Sequence, residues 1–348
     1  MRFASPLLAL GLTLVVGGAL FAAIGLEPLP ALFIYFIEPL TSWWSIEELI
    51  VKTAPLVLIA AGLLVCFRAN LWNIGAEGQL VVGALFGCFI PITFPDWQSP
   101  WVLGLMLALG TIGGALYAGI PALLKNRFGV NEILTSLMLV YVGQLLLDWL
   151  VRGPWRDPQG FNFPKSISFD GWQLLPTWGD GRVHLGALFA LAAVVVLWVL
   201  LGRTVKGFEI RVSGAAPRAS TFGGFSPAAM TWFCFLLSGG LAGLAGICEV
   251  AGPSGQLQPT ISPGYGFTAI IVAFLGRLNP IGALFAGLLL AVSYLGGEGA
   301  QVALGLSEKM AQVFQGMLLF FVLACDSLIL YRLRWVGRNT RGAAVAVR

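Results

Sequence analysis

Residues 68–87 read RANLWNIGAEGQLVVGALFG. The stretch places the carboxylate of Glu77 and the amides of Asn73 and Gln79 at the start of a long apolar run. The run continues for about the 20 residues that a helix needs to span a bilayer. An ionised side chain in such a segment is costly unless it faces a cavity or a polar partner. The stretch therefore predicts a membrane helix that begins at a polar, glycine-rich break.

The composition of the whole chain is that of a membrane protein. Hydrophobic residues make up 58% and charged residues 10% of its 348 residues, and the mean hydropathy is +0.87. Soluble domains are about 45–50% apolar and 25% charged. The chain has one His and five Cys without a CxxC pair, so we predict neither a metal site nor a disulfide framework. We predict an all-α, polytopic membrane protein.

Apolar runs predict about ten transmembrane helices. They centre on residues 7–25, 50–67, 75–94, 101–124, 131–150, 185–201, 228–248, 264–276, 280–297 and 309–330. With the N-terminus in the cytoplasm, most Lys and Arg lie on the inner side, as the positive-inside rule requires. The exceptions, all predicted outside, are Lys52, Arg152, Arg156, Lys165, Arg182 and Lys309. The sequence therefore predicts both termini in the cytoplasm.

Three further regions complete the predicted layout of a single transmembrane domain over residues 1–348. Residues 27–45 are apolar but contain three prolines, which favours an interfacial segment over an eleventh span. Residues 152–184 form a long outer loop whose prolines and aromatics predict a structured cap. Residues 202–227 form a basic inner loop that is rich in small residues and too polar to enter lipid. A soluble partner could therefore grip this inner loop from the cytoplasm.

Two segments predict broken helices in a degraded internal repeat. Residues 75–87 (GAEGQLVVGALFG) and 264–276 (GYGFTAIIVAFLG) share their length and their terminal glycines, and GALYAG at 114–119 is similar to GALFAG at 282–287. In transporters, the breaks of duplicated halves tend to bracket the path near the midplane. The intervals between the paired segments differ, so coincidence is the alternative. For GGLAGLAG at 239–246, we favour close helix packing.

The sequence lacks the motifs of an enzyme. It contains no GxxxxGK[ST] phosphate-binding loop, no HExxH and no GxSxG. If ATP drives transport, a separate subunit must therefore hydrolyse it. The alternative is a self-contained secondary carrier or channel for a neutral polar solute. Such a carrier predicts ionisable residues within the spans for ion coupling, whereas most carboxylates of this chain fall in predicted outer regions.

Four motifs in order resemble one known family. They are NIGAEGQ (73–79), VNEILTSLML (130–139), GFEIRVSGAAPRASTFGG (207–224) and SPGYGFTAIIVAFLGRLNPIGALFAG (262–287). Together they are similar to permease subunits of ABC importers of the ribose and branched-chain amino acid permease family, in its nucleoside or simple sugar branch. The resemblance covers about residues 50–330.

The resemblance implies a set of partners in the inner (plasma) membrane. A second permease subunit, either another copy or a related chain, pairs with this one. An ABC ATPase subunit uses ATP and Mg, and an extracytoplasmic solute-binding lipoprotein delivers the solute. This chain itself carries no catalytic residue and no cofactor in such an importer. The solute implied is a nucleoside or a related small polar molecule.

The resemblance also implies that the inner loop couples the permease to its ATPase. Residues that match the coupling segment are Gly207, Arg211, Gly214, Pro217, Arg218, Ala219 and Gly224. The chain departs from the family pattern at Ala216, where relatives usually have Asn, and at Ser220 and Thr221. The position of the coupling segment is therefore predicted, but its individual contacts with the ATPase are not.

Polar and aromatic residues at the predicted breaks are candidates for the translocation path or its gate. They are Asn73, Glu77, Gln79, Asn131, Glu132, Tyr265 and Phe267. A purely structural role is open for each of them. Near the cytoplasmic end, where we expect it, Glu77 could pair with a cation such as Arg127 or Arg277.

The other candidates also have structural alternatives. Asn131 and Glu132 stand where a helix N-cap and a first-turn carboxylate are favoured. Tyr265 and Phe267 are expected on the outer side, where they would stack on a solute or lie at the lipid interface.

Overall fold

The computed structural model describes residues 4–179, 181–307 and 309–330, and α-helices account for most of these ranges. The helices are α1 (Ala4–Ala23), α2 (Pro28–Phe36), α3 (Trp43–Arg68), α4 (Ala76–Thr93), α5 (Trp101–Phe128), α6 (Glu132–Arg152), α7 (Leu185–Arg203), α8 (Val205–Ala215), α9 (Pro217–Phe222), α10 (Pro227–Glu249), α11 (Tyr265–Leu275), α12 (Pro280–Leu304) and α13 (Lys309–Leu330). Within the described ranges, β-structure is limited to an isolated bridge between Thr177 and His184. The all-α prediction is confirmed.

A helix lies at each of the ten predicted span positions. In the described part of the chain, 7 helices are long and apolar enough to cross a membrane: α3, α4, α5, α6, α7, α10 and α12. The helix α11 has only 11 residues and is too short to cross alone. The chain is therefore a multi-pass membrane protein, while the count of ten spans stays a prediction.

The segment predicted at the interface forms α2 and a short 3₁₀-helix, Glu38–Leu40. The side chain of Tyr35 is fully buried, and its hydroxyl lies 3.0 Å from the hydroxyl of Ser293 on α12. One face of α2 therefore packs into the protein.

Helix α3 lies at the centre of the bundle and packs against α7, α10, α11 and α12. Helices α4, α5 and α10 form a second closely packed group, in which a Cβ on Gly243 would overlap the backbone of α5 at Gly110. Because backbones can approach this closely only without side chains, small residues are needed at these crossings. Gly239 and Gly246 meet α5 and α4 in the same way. The packing interpretation of GGLAGLAG is confirmed.

Two helices begin inside the bundle after stretches of non-helical chain. Residues 69–75 separate α3 from α4, and residues 255–264 separate the π-helical turn Val250–Ser254 from α11. These helices contain the two segments of the predicted repeat. The N-termini of α4 and α11 are in close contact. A Cβ added to Gly266 would overlap the backbone of Glu77.

The loop between α6 and α7 is tied to the chain that follows α10. The amides of Ser166, Phe169 and Leu175 donate to backbone carbonyls of Leu257, Gly255 and Ala251 at 2.8, 2.7 and 2.7 Å. The loop between α7 and α10 contains α8 and α9. Both long loops are therefore ordered extensions of the bundle.

Candidate functional site

Glu77 lies where the first turns of α4 and α11 meet. Its Oε2 accepts a hydrogen bond from the amide of Gly266 at 2.6 Å, and its side chain is 1% exposed. Helix N-termini carry partial positive charge and unpaired amides, so two of them stabilise a carboxylate between them. This geometry explains how an acidic residue is accommodated among apolar helices.

The predicted pairing of Glu77 with Arg127 or Arg277 is wrong. Arg277 follows the opposite end of α11, and Arg127 lies in the last turn of α5. The carboxylate instead accepts from the backbone amide of Gly266 in the first turn of α11.

The expected position of Glu77 near an end of the bundle is also wrong. Arg68 ends α3, and its Nε donates to the carbonyl of Leu278, just beyond α11, at 2.7 Å. The ends of α3 and α11 therefore lie together. At about 1.5 Å per residue, α11 carries the chain about 16 Å back from there to Gly266 and Glu77. The non-helical residues 69–75 carry the chain from the end of α3 over the same depth to the start of α4. Glu77 therefore lies deep within the bundle.

Asn73 and Gln79 hold the unwound segment together. Each side-chain amide donates to the other's carbonyl at 2.9 Å. Asn73 also donates to the hydroxyl of Ser238 at 3.1 Å and accepts from the amide of Gly75 at 3.1 Å. Both side chains are buried, and both polar atoms of the Asn73 side chain have hydrogen-bond partners within the protein. These two residues therefore position Glu77 and do not face the neighbouring cavity.

A cavity of about 390 Å³ lies beside Glu77, between α4, α6 and the chain that leads into α11. Small-molecule sites are commonly about 300–1,000 Å³, so the volume suits a small solute. The polar residues that line it are Glu77, Tyr141, Gln144, Asp148 and Ser262. We call this space the Glu77 cavity. It offers carboxylates, an amide, a hydroxyl and an aromatic ring to a solute.

Three of these lining residues, Tyr141, Gln144 and Asp148, were missed in the sequence interpretation. They recur at helical spacing along α6, and this one-sided polar pattern within an apolar helix was the available signal. Tyr141 is 57% exposed, Gln144 is exposed, and Asp148 pairs with Arg152 at 2.7 Å. Because an amide facing lipid is costly, this face of α6 belongs against polar surroundings.

Asn131 and Glu132 occupy the positions of a helix cap. The Oδ1 of Asn131 accepts from the amide of Ile133 at 2.8 Å, and Glu132 forms an ion pair with Lys125. The capping interpretation is therefore confirmed for Asn131.

Tyr265 does not lie on the outer side, as we expected, but in the interior. Its side chain is 3% exposed, and its ring meets the ring of Tyr294 edge-on at 5.5 Å. The hydroxyls of Tyr294 and Thr268 are 2.8 Å apart. Phe267, two residues on, is 40% exposed. Tyr265 therefore supports the packing of α11 against α12.

Three of the predicted coupling residues fasten the inner loop to the bundle. Gly207 packs against the end of α7, and Arg211 donates to the carbonyl of Leu201. Gly214 lies so close to the carbonyl of Arg68 that a Cβ there would overlap it. Helix α8 is therefore in direct contact with the ends of α7 and α3.

The remaining coupling residues form an exposed surface. Pro217, Arg218 and Ala219 are exposed on α9, and Gly224 follows it with φ of 83°. The sequence interpretation missed Phe222, which ends α9 and is 95% exposed. Phe222 therefore adds an exposed aromatic ring to this surface.

A multi-pass bundle with broken helices, an open polar cavity and an ordered basic loop has the features of a membrane permease. The family described as the branched-chain amino acid transport system, permease component, matches residues 45–323. The chain belongs to this family, which confirms the resemblance found in its four motifs. It is a permease of an ABC transporter and not a self-contained carrier.

Relatives extend the similarity over most of the chain. A glucose ABC transporter permease protein of Haloferax volcanii is 36% identical over 345 residues, which are 95% of this chain and 90% of that protein. A nucleoside ABC transporter permease protein of Lactococcus lactis subsp. cremoris is 27% identical, covering 91% of this chain and 89% of that one. A guanosine ABC transporter permease protein of Bacillus subtilis is 29% identical, covering 85% and 86%. Each of these relatives is named as a permease protein of an ABC transporter.

Proposed function

We propose that the chain imports a small polyhydroxylated solute, a nucleoside or a sugar, by alternating access. The Glu77 cavity is the observation that carries this proposal. Carboxylates accept hydrogen bonds from solute hydroxyls, and Gln144 both donates and accepts. The ring of Tyr141 offers a face on which a sugar or base can stack. The glucose and nucleoside permeases among the relatives support the same solute class.

The proposed transporter contains a second permease subunit, either another copy or a related chain. The polar face of α6 supports this part of the proposal, because Gln144 and Tyr141 are exposed at membrane depth. A second permease would cover that face and complete the wall of the Glu77 cavity. An extracytoplasmic solute-binding lipoprotein delivers the solute, and the complex lies in the inner membrane with both termini in the cytoplasm.

An ABC ATPase subunit, using ATP and Mg, is proposed to bind the surface formed by Arg218 and Phe222. A series of contacts leads from this surface to the Glu77 cavity. Gly214 on α8 touches the carbonyl of Arg68, and Arg68 donates to Leu278. Leu278 follows the end of α11, and the first turn of α11 contains Gly266, whose amide donates to Glu77. A shift of α8 during ATP hydrolysis would therefore move the first turn of α11 beside the solute.

Competition for uptake tests the solute class. The permease is reconstituted with its ATPase, partner permease and receptor, and uptake of a labelled nucleoside is measured with excess glucose, unlabelled nucleosides or branched-chain amino acids. We expect a nucleoside or glucose to compete and amino acids to have no effect. Competition by amino acids alone would overturn the solute class. Uptake that continues without ATP would overturn ATP-driven import.

A further inference from the structure

A second cavity, of about 510 Å³, lies between α3, α7 and α12, outside the Glu77 cavity. All three helices are long and apolar enough to span a membrane, so hydrocarbon surrounds this part of the chain. Leu188 and Leu191 are 51% and 48% exposed, which places the cavity at the surface of the bundle. Its apolar wall includes Ile50, Ala54, Leu188, Leu191, Leu284 and Leu288.

His184 lines one end of this cavity and carries a buried hydrogen-bond donor. His184 caps α7, and its Nδ1 accepts from the amide of Gly186 at 3.2 Å, so the ring proton lies on Nε2. The side chain is 4% exposed, and Nε2 has no partner among the described residues. Burial lowers the pKa of His184 to about 4, which keeps the ring neutral at pH 7. Leaving a buried donor unpaired is costly, so an acceptor is expected here.

The chain that leads into His184 also carries Trp178, which lines the cavity, and Arg182, two residues before the histidine. In the chain before α7, the amide of Trp178 donates to the carbonyl of Val183 at 2.8 Å. Trp178 is 82% exposed, as is typical of a ring at the membrane interface. Arg182 pairs with Glu48 at 3.0 Å, and its side chain is 45% exposed. Along the chain the order is thus a cation at Arg182, a hydrogen-bond donor at His184 and the apolar crevice beside α7.

A glycerophospholipid carries complementary groups in the same order: a phosphate, an ester carbonyl and an acyl chain. We propose that this cavity binds one acyl chain of a membrane glycerophospholipid, whose ester carbonyl accepts a hydrogen bond from Nε2 of His184. The phosphate lies at the level of Arg182. The site depends on the membrane position of α3, α7 and α12 and not on the solute transported.

Native mass spectrometry of the transporter, purified with its partner subunits, tests the site. After delipidation, palmitoyl-oleoyl phosphatidylglycerol is titrated into the wild type and three variants. Leu188→Trp fills the crevice and should abolish one binding event. His184→Asn keeps an oxygen that can cap α7 but removes the Nε2 donor, and should weaken binding about fivefold. Val195→Trp lies on α7 outside the cavity wall and should bind as the wild type does.

Photo-cross-linking in native membranes identifies the occupant directly. With p-benzoylphenylalanine in place of Leu188, we expect an adduct between this chain and a phospholipid. A cross-link to a second protein chain would show that a partner covers the cavity and would overturn the proposal. Equal lipid counts in Leu188→Trp and Val195→Trp would overturn it as well.

Discussion

The carboxylate of Glu77 accepts a hydrogen bond from the backbone amide of Gly266 at 2.6 Å and so joins the first turns of α4 and α11. Two helices that are far apart in the sequence therefore start from one buried acceptor. The joint stands beside a polar cavity, and any movement of α11 changes that wall of the cavity. The link is therefore a structural joint beside the cavity that we propose as the solute site.

Substitutions of Glu77 separate its hydrogen bond from its charge. In Glu77→Gln the side-chain oxygen can still accept from Gly266, whereas Glu77→Ala leaves a buried amide unpaired at a cost of about 1–3 kcal/mol. We expect Glu77→Ala to lower the melting temperature and the uptake rate more than Glu77→Gln does. Thermal denaturation of the purified protein and uptake by the reconstituted transporter measure the two effects. Equal losses in both variants would show that the charge itself is required.

The depth of Glu77 shows why the site was harder to predict than the helices. Helix positions follow from apolar runs, and a helix was found at each predicted span. The sequence does not reveal that residues 69–75 carry the chain inward without helical structure, because such a stretch is equally compatible with a surface loop. The partner of Glu77 lies 189 positions away, at Gly266, so no local pattern could identify it. By contrast, the helical spacing of Tyr141, Gln144 and Asp148 could have been recognised in the sequence.

Removing the amide of Gln144 should weaken solute binding without unfolding the protein. The residue is exposed on α6, so Gln144→Leu removes a hydrogen-bonding group without leaving a core void. One neutral hydrogen bond contributes about 0.5–1.5 kcal/mol, so KM for uptake should rise up to about tenfold. Val142→Leu is the control, since Val142 is 52% exposed on α6 and does not line the cavity. An unchanged KM in Gln144→Leu would remove this residue from the path.

The exposed ring of Phe222 should anchor the ATPase. We expect Phe222→Ser to reduce co-purification of the ATPase and to abolish ATP-driven uptake, because interface aromatics commonly contribute 2 kcal/mol or more, roughly thirtyfold in affinity. Phe161→Ser provides a matched control, since Phe161 is 93% exposed in the loop between α6 and α7. If both variants retain the ATPase equally, the binding surface lies elsewhere.

The contact between α8 and the end of α3 should transmit movements of the ATPase to the transmembrane helices. Gly214→Ala places a methyl group onto the carbonyl of Arg68 and should push α8 away from it. We expect normal membrane insertion and ATPase binding but reduced solute transport per ATP hydrolysed. In Gly202→Ala the added methyl group meets no neighbouring atom within 4 Å, so this variant controls for the added methyl group itself. The same transport-to-hydrolysis ratio in both variants would contradict the proposed route through Arg68.

His184 should make the folded protein less stable as the pH falls. Burial lowers its pKa from 6.5 to about 4, so between these values the unfolded chain binds a proton that the folded chain excludes. The free energy of unfolding therefore falls as the pH drops through this window, by at most about 1.4 kcal/mol per pH unit from this residue. Carboxylates titrate in part of the same range, so the comparison is made with His184→Asn, whose asparagine can still cap α7. Melting temperatures from pH 7 to pH 5 should fall more steeply in the wild type, and parallel curves would contradict a buried neutral histidine.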